Sequence, residues 1–599
     1  MKFRKIQYGS NETNMVNVNI SKRVEYFLHY WNFLFQKNSG LLFIHYEKIE
    51  SHRSLIHKIE LQINENKSKY AKRIESLVIV HPYFQEDNLI IRNSPKAKSE
   101  LMNFKNNFIT NKTNQSIIKA EFEKIKKNVL RNYLNRLLKA VITQLVTDKP
   151  IDKTFKKDIQ FLINAVVVEL YHHGFSIDYI RKIADVIVFP KEHRNQFPYD
   201  KAFHNFENVE LYMSYKEQTL KKINLHEQIV CIKNFVDNKK YPKQKGFCVF
   251  KIDDFDFQLK ESIEIWGVTF YSPQRTRKVK TKIPENENIE IDFNHLVFPK
   301  QNNLTNSTCN AKIKVDYRIF DWNNPVIAIN QVVRNVDKAL QVLKRLKLDF
   351  VNGESAISGK LSTKNCIFTD YEYNYRQFVI IQFDNDSFQI KEYQKSVFKA
   401  VLNDIKLYQK NQKLMDICAY LCQAKTDEFN FNFKDYWTVL AEANFPNNHN
   451  EFIKNCKTIF RNELPDRLFM DTKVFLNNSF RHIDSEYSLK RNILKQIGLN
   501  IPENKSFTAE KFKLNYGKLK KHIEFEFFDD ILAELDECQN KPEKFKEKID
   551  KWLDNTIWSA YAERNLESHN NIVTDYSLIK LKDEFLYIGG IFLRSRTRN

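Results

Sequence analysis

Three residues near the C-terminal end of the sequence could together act on a phosphodiester. Asn565 directly follows Arg564, and His569 comes five positions after the arginine. Histidine titrates near neutral pH and can transfer protons, whereas arginine keeps its charge and its planar fork matches phosphate oxygens. RNA carries its own nucleophile in the 2′-hydroxyl, so these side chains could cleave it without a metal ion. Asn565 and His569 are four residues apart and share one helix face, where they could hydrogen-bond.

A second arginine–histidine pair has a similar spacing and serves as an internal comparison. Arg23 precedes His29 by six positions, but Val24 follows the arginine, so the polar neighbour is absent. The intervening residues are those of an amphipathic helix. On a regular helix Arg564 lies about 140° round the axis from His569. Within one helix the arginine side chain would therefore have to reach round the axis to meet the histidine. A site completed by a second subunit at a symmetric interface would remove this requirement.

The Arg-Asn-x-x-x-His pattern resembles the motif of HEPN ribonucleases, in which an arginine and a polar residue precede a histidine. The resemblance extends to the apolar helix that leads into the motif, with Trp558 and Tyr561 just upstream. It also includes the helical pattern after the motif, with Leu581 and Phe585, and covers about the last 200 residues. More weakly, the strand-to-helix pattern at 311–346 is similar to the region that precedes the HEPN domain in larger defence proteins.

This resemblance implies an endoribonuclease that acts without a metal or any other cofactor. In it His569 would be the acid and base, Arg564 would stabilise the phosphate charge, and Asn565 would orient the histidine. The products would end in 2′,3′-cyclic phosphate. The family implies a homodimer formed through the C-terminal domain, with two motifs facing each other. It also implies an antiviral-defence or toxin effector, with a partner protein or a phage-derived trigger as activator.

Two other functions remain open at this point. The first is a non-catalytic RNA-binding or assembly module, as some HEPN domains are. The second is a DNA-binding regulator that uses the helical pattern of 160–187, where a helix, a short turn and a helix follow one another. This second helix offers few base-reading side chains beyond Arg181 and Lys182, so plain helical packing is the better interpretation.

Composition restricts the class of protein. The 599 residues carry a net charge of +21, which would attract a polyanion such as nucleic acid. Only 11 glycines are present, which disfavours nucleotide-binding folds that depend on glycine loops. The cysteines show no Cys-x-x-Cys spacing, so no zinc site is expected. A polar N-terminus and the absence of any run of 18 apolar residues predict a cytoplasmic protein without membrane contact.

Hydrophobic periodicity predicts a mainly α fold with a central α/β domain, and the resemblance implies that the C-terminal helices form a HEPN-like bundle. Three domains are expected: a helical N-terminal domain at 1–200 with a regulatory or RNA-positioning role, a small α/β domain at 201–390, and a helical domain at 391–599 that carries the motif. Predicted helices include 116–146, 155–173, 215–237 and 543–568, together with one that begins at Pro325. Strands are predicted at Phe247–Ile252, Ile263–Tyr271, Ile289–Phe293 and Ala311–Ile319.

The predicted α/β domain contains a basic segment that could contact a nucleic-acid backbone. Its members are Arg275, Arg277, Lys278, Lys280 and Lys282. Positive side chains on a loop would bind phosphates without reading sequence. An acidic cluster at Asp253, Asp254 and Asp256 lacks the further ligands of a nuclease metal site, so a hairpin turn is the better interpretation.

Overall fold

The computed structural model divides the chain into two units, and the first of them is discontinuous in sequence. Residues 1–172 and 390–599 form unit 1, whereas residues 173–389 form unit 2. The structure describes residues 21–35, 50–64, 78–110, 115–236, 244–253, 263–271, 309–342, 360–370, 433–480, 526–567 and 581–592, apart from short gaps within several of these ranges.

The described residues in the N-terminal part of unit 1 are mainly helical. The helices are α1 (Lys22–Leu34), α2 (His52–Asn64), α3 (Leu89–Arg92), α4 (Pro95–Thr110), α5 (Gln115–Leu130), α6 (Tyr133–Val146) and α7 (Lys153–His172). Ser21 caps α1 by accepting a hydrogen bond from the Val24 amide. Helix α7 buries every residue from Phe161 to Val168, all of them apolar except Asn164.

The single helix predicted over 116–146 is wrong, because the chain breaks between α5 and α6. Asn132 adopts a left-handed conformation with φ of 50°, which a regular α-helix cannot accommodate. Asparagine tolerates this region better than most residues. The apolar spacing from Val129 through Tyr133 to Leu137 continues across the break, which is why periodicity alone does not reveal it.

The C-terminal part of unit 1 packs against the N-terminal part. It contains α11 (Phe433–Trp437), a short π-helical segment (Thr438–Glu442), α12 (His449–Phe480), α13 (Glu526–Asn540), α14 (Pro542–Glu567) and helical residues 584–592. The Tyr26 hydroxyl on α1 donates to Asp530 on α13 at 3.0 Å and accepts from Gln160 on α7 at 2.7 Å. The sequence suggests separate domains at 1–200 and 391–599, whereas the structure groups residues 1–172 with residues 390–599 in one unit.

The described part of unit 2 combines helices with an antiparallel sheet. The helices are α8 (Ile177–Val188), α9 (Val209–Lys222) and α10 (Leu225–Val236). The strands are β1 (Gln244–Asp253), β2 (Ile263–Ile265), β3 (Val268–Tyr271), β4 (Cys309–Asp321), β5 (Asn324–Ile327) and β6 (Lys360–Asp370). Their order is β2-β3-β4-β1-β6, and β5 pairs with β4. The prediction of a mainly helical chain with a small sheet in its middle is confirmed.

Three sequence-based elements of unit 2 need correction. The strand predicted at Ile263–Tyr271 is a hairpin, since Trp266 and Gly267 have φ values of 51° and 75° and turn the chain between β2 and β3. The residues around Pro325 form β5 instead of a helix start, because they pair with β4. Similarly, the helix predicted at 215–237 is two helices, α9 and α10. The strand predicted at Ile289–Phe293 lies outside the described residues.

Candidate active site

Helix α14 carries the arginine and the asparagine of the predicted motif at its C-terminal end. Its sequence begins with Pro542, whose fixed φ suits the first helical position. Apolar side chains then recur every three or four residues and are buried along one side, at Phe545, Ile549, Leu553 and Ile557. This packing against the rest of unit 1 holds the helix along its length and so fixes where its last turn lies.

Arg564 and Asn565 lie in that last turn and contact each other. Both side chains are half-buried, and Arg564 Nη1 donates a hydrogen bond to Asn565 Oδ1 at 3.1 Å. A cation at this position also interacts favourably with the negative end of the helix dipole. His569, the third predicted residue, lies outside the described residues. The structure thus places the arginine and its polar neighbour together at a partly accessible helix end.

An aromatic cluster lies directly beneath the arginine. The guanidinium carbon of Arg564 is 5.8 Å from the centre of the Tyr561 ring. Tyr561 packs in turn against Trp437 of α11 at 5.1 Å and His449 of α12 at 4.8 Å between ring centres. Two other helices therefore define the position of the ring that the arginine covers.

A buried charged network connects the residue before the motif to the N-terminal segment. Lys58 on α2 lies between two carboxylates, 3.5 Å from Glu50 and 3.4 Å from Glu563. The His81 ring extends the network, with Nε2 3.1 Å from the second oxygen of Glu50. Glu50 and Glu563 are buried. Because buried carboxylates need a nearby cation, Lys58 ties the motif end of α14 to α2.

His52, at the start of α2, has a quite different environment. Its Nε2 lies 2.7 Å from the Tyr83 carbonyl, which can only accept, so Nε2 carries the proton. Its Nδ1 therefore accepts from the Tyr133 hydroxyl at 2.8 Å. The ring is fully buried, and this burial lowers the pKa of His52 to about 3, assisted by the positive charge of Arg136. His52 is thus a neutral core histidine with both ring nitrogens satisfied.

The second Arg–His pair has a structural role through its arginine. Arg23 donates to the backbone carbonyls of Gln144, Lys149 and Pro150 at 2.7, 2.7 and 2.9 Å. Its guanidinium carbon also lies 4.2 Å from the centre of the Phe155 ring. These contacts fix α1 to the connection between α6 and α7, which agrees with the absence of a polar neighbour in its sequence.

The remaining predicted site residues are placed as follows. The basic segment of Arg275, Arg277, Lys278, Lys280 and Lys282 lies outside the described residues, as do Asp254 and Asp256. Asp253 ends β1. Arg181 and Lys182 are exposed on α8. Across the described ranges, no group of three or more His, Cys, Asp or Glu side chains is placed to hold a metal ion. Nor is any described helix both long and apolar enough to cross a bilayer.

Sequence reasoning missed the network around Glu563, although one signal was available. Counting on from Leu553, Ile557 and Ala560 at helical spacing leads to Glu563, so the apolar stripe itself places this carboxylate on the buried side. A charged residue on a buried stripe requires a partner. The identity of that partner, Lys58, follows only from the tertiary structure.

Comparison of this chain with protein-family models, with curated proteins and with solved structures finds no match in any of the three.

Proposed function

We propose that this protein is a metal-independent endoribonuclease whose active site contains Arg564, Asn565 and His569. The observation that carries the proposal is the contact between Arg564 and Asn565 at the half-exposed end of a helix that is otherwise firmly packed. A guanidinium fixed in this way presents a permanent positive charge to a phosphate group. The resemblance of the motif to that of HEPN ribonucleases supports the same assignment.

The chemistry assigns one task to each side chain. His569 takes the proton of the 2′-hydroxyl, and the resulting oxygen attacks the adjacent phosphorus atom. The bond from phosphorus to the 5′-oxygen breaks, which gives a 2′,3′-cyclic phosphate and a 5′-hydroxyl end after protonation of the leaving oxygen. Arg564 stabilises the charge that develops on the phosphate oxygens. Asn565 orients the imidazole.

The proposal extends to assembly and to the setting in which the enzyme acts. A homodimer that brings two motifs together would supply a second imidazole, so that one acts as base while the other protonates the leaving oxygen. Such a requirement makes activity depend on assembly. In this proposal the protein is a cytoplasmic antiviral-defence or toxin effector, and a partner protein or a phage-derived trigger controls it.

Cleavage by matched variants tests the proposal directly. Wild type, Arg564→Ala and His569→Ala are incubated in EDTA with single-stranded RNA, single-stranded DNA and 2′-O-methyl RNA. His57→Ala is the control, since His57 is an exposed histidine on α2. We expect cleavage of unmodified RNA alone, by wild type and the control. Each site variant should lose about 100-fold or more of the rate.

Three outcomes would contradict this assignment. Equal cleavage by wild type and His569→Ala would remove the histidine from the mechanism. A requirement for a divalent metal, or products with 3′-hydroxyl ends detected by mass spectrometry, would exclude attack by the 2′-hydroxyl. Binding of RNA without cleavage, together with no effect of wild-type expression on cell growth, would favour the non-catalytic RNA-binding module.

A further inference from the structure

Trp558 is a large apolar side chain that α14 leaves exposed. It is 44% exposed, whereas Trp552 on the same helix is 7% exposed. Lys551, Asn555 and Ala562 are also exposed and recur with Trp558 at helical spacing, so the indole belongs to the outer side of the helix. Packing of the core does not account for a tryptophan at this position.

The position of Trp558 relates it to the proposed active site. Asn565 comes seven positions after Trp558, which on a regular helix places the two on nearly the same face, about 20° apart. The distance along the axis is about 10 Å. A single RNA strand whose phosphate contacts the motif can therefore extend along this face and bring a base over the indole.

The indole is held in place by the same ring that underlies the arginine. Trp558 packs edge to face on Tyr561, with 5.8 Å between ring centres and 84° between the ring planes. Tyr561 is fixed by Trp437 and His449 and also lies under Arg564. The tryptophan and the guanidinium thus share one rigid support, so little freedom is lost when a ligand contacts both.

We propose that Trp558 is a base-stacking platform for single-stranded RNA bound at the Arg564–Asn565 end of α14. This inference rests on the proposed function and gives it a substrate class. Every base has a flat face that can stack on an indole, so the contact tolerates any sequence but requires an unpaired base. The net charge of +21 favours a polyanion over an apolar protein surface as the partner.

Binding of an RNA that cannot be cleaved separates stacking from catalysis. A fluorescent 2′-O-methyl single strand is titrated with wild type, Trp558→Ala, Trp558→Phe and Trp266→Asn, and anisotropy is recorded. Trp266→Asn is the control because it also removes an exposed indole, one that lies in unit 2. We expect Trp558→Ala to weaken binding about tenfold or more. Trp558→Phe keeps most of the affinity, and the control equals wild type. A duplex of the same sequence binds all proteins alike.

Each contrary result has a distinct meaning. Equal affinity of wild type and Trp558→Ala overturns the platform and leaves the cleavage proposal standing. Failure of wild type to bind any RNA overturns both proposals. A third contrary result is conversion of a dimer to a monomer by Trp558→Ala in light scattering, with RNA binding reduced only in proportion to the loss of dimer. In that case Trp558 is a subunit contact, and the platform is overturned.

Discussion

Two regions of unit 1 carry residue types that suit catalysis, and they differ in access. Around His52 a histidine contacts a tyrosine hydroxyl, and Arg53 pairs with Glu169 at 2.8 Å nearby. At the end of α14, Arg564 contacts Asn565 over an aromatic ring. The first group surrounds a fully buried imidazole, whereas the second is half-exposed.

The difference shows that residue types alone do not identify a catalytic site, because burial and hydrogen-bond partners decide whether a side chain can contact a substrate. A buried imidazole whose two nitrogens are both hydrogen-bonded has nothing to offer a substrate. Its low pKa keeps it neutral at physiological pH, so it can serve as a fixed link between α2, Tyr83 and Tyr133. Near the motif, by contrast, burial ends at Glu563 and leaves the next two residues partly accessible.

The largest expected effect is the difference in RNA-cleavage rate between substitution of His569 and substitution of His52. His569→Ala should lower the rate of RNA cleavage about 100-fold or more, because it removes the proposed proton-transfer group. His52→Gln should leave the rate per folded molecule close to that of wild type, since glutamine can also donate and accept. Rates are measured on protein whose folded fraction is determined by circular dichroism. A folded His52→Gln protein that no longer cleaves RNA would show that the His52 region also takes part in cleavage.

The second expected effect compares two of the ion pairs that α14 makes. Lys58→Met leaves the buried Glu50 and Glu563 without their shared cation and should lower the free energy of unfolding by about 3–5 kcal/mol. Arg461→Met removes a more exposed partner of Asp550 and should cost less than about 1 kcal/mol. Urea denaturation measures both.

Equal losses for these two variants would show that the Lys58 network is no more than a surface contact. A second measurement distinguishes a local effect of the Lys58 network on the motif end of α14 from an effect on the stability of the whole protein. At denaturant concentrations below the unfolding transition, Lys58→Met should accelerate amide hydrogen exchange in the last turns of α14 and should not slow it at any other position. Lys58→Arg keeps the charge and should restore most of the protection.

The third effect is a pH dependence that originates in the His52 region. The pKa of His52 is about 3 in the folded state against 6.5 for an unperturbed histidine, so the unfolded state binds the proton more tightly. Its contribution to stability is complete above pH 6.5 and is lost as pH falls toward 3. The loss is about 1.4 kcal/mol per pH unit in this range. The free energy of unfolding is measured between pH 7 and 4.5 for wild type and for His52→Gln. The dependence of this free energy on pH should be steeper in wild type by this slope, and equal slopes in the two proteins would contradict the prediction.

The smallest effect tests strain in unit 2, away from both regions. Trp266 has a positive φ of 51° at the tip of the β2–β3 hairpin and is 75% exposed. Asparagine followed by glycine is the preferred pair for such a turn, so Trp266→Asn should raise the stability of the hairpin by about 1 kcal/mol. A lower thermal transition in this variant would show that the indole makes a stabilising contact.

Local signals predicted the elements better than the contacts between them. The helix at Pro542–Glu567 and the strand at Cys309–Asp321 follow from proline placement and alternation within a few residues. The break at Asn132 does not, because apolar periodicity continues across it, and the turn at Trp266 lies within a run rich in β-branched and aromatic residues. The contact of Lys58 with Glu563 depends on a tertiary arrangement that no local window contains. The roles of Arg564, Asn565 and His569 stay predictions.

The discontinuity of unit 1 has a consequence for synthesis on the ribosome. Helix α1 meets α13 through Tyr26 and Asp530, which are 504 residues apart in the chain. At about 5–20 residues per second, α1 waits roughly 25–100 s for this partner to be translated. Throughout that interval its aromatic side chains lack their final covering, which makes the nascent chain a client for chaperones. Helix α14 is translated later still, so no nascent chain that ends before this helix carries a completed unit 1.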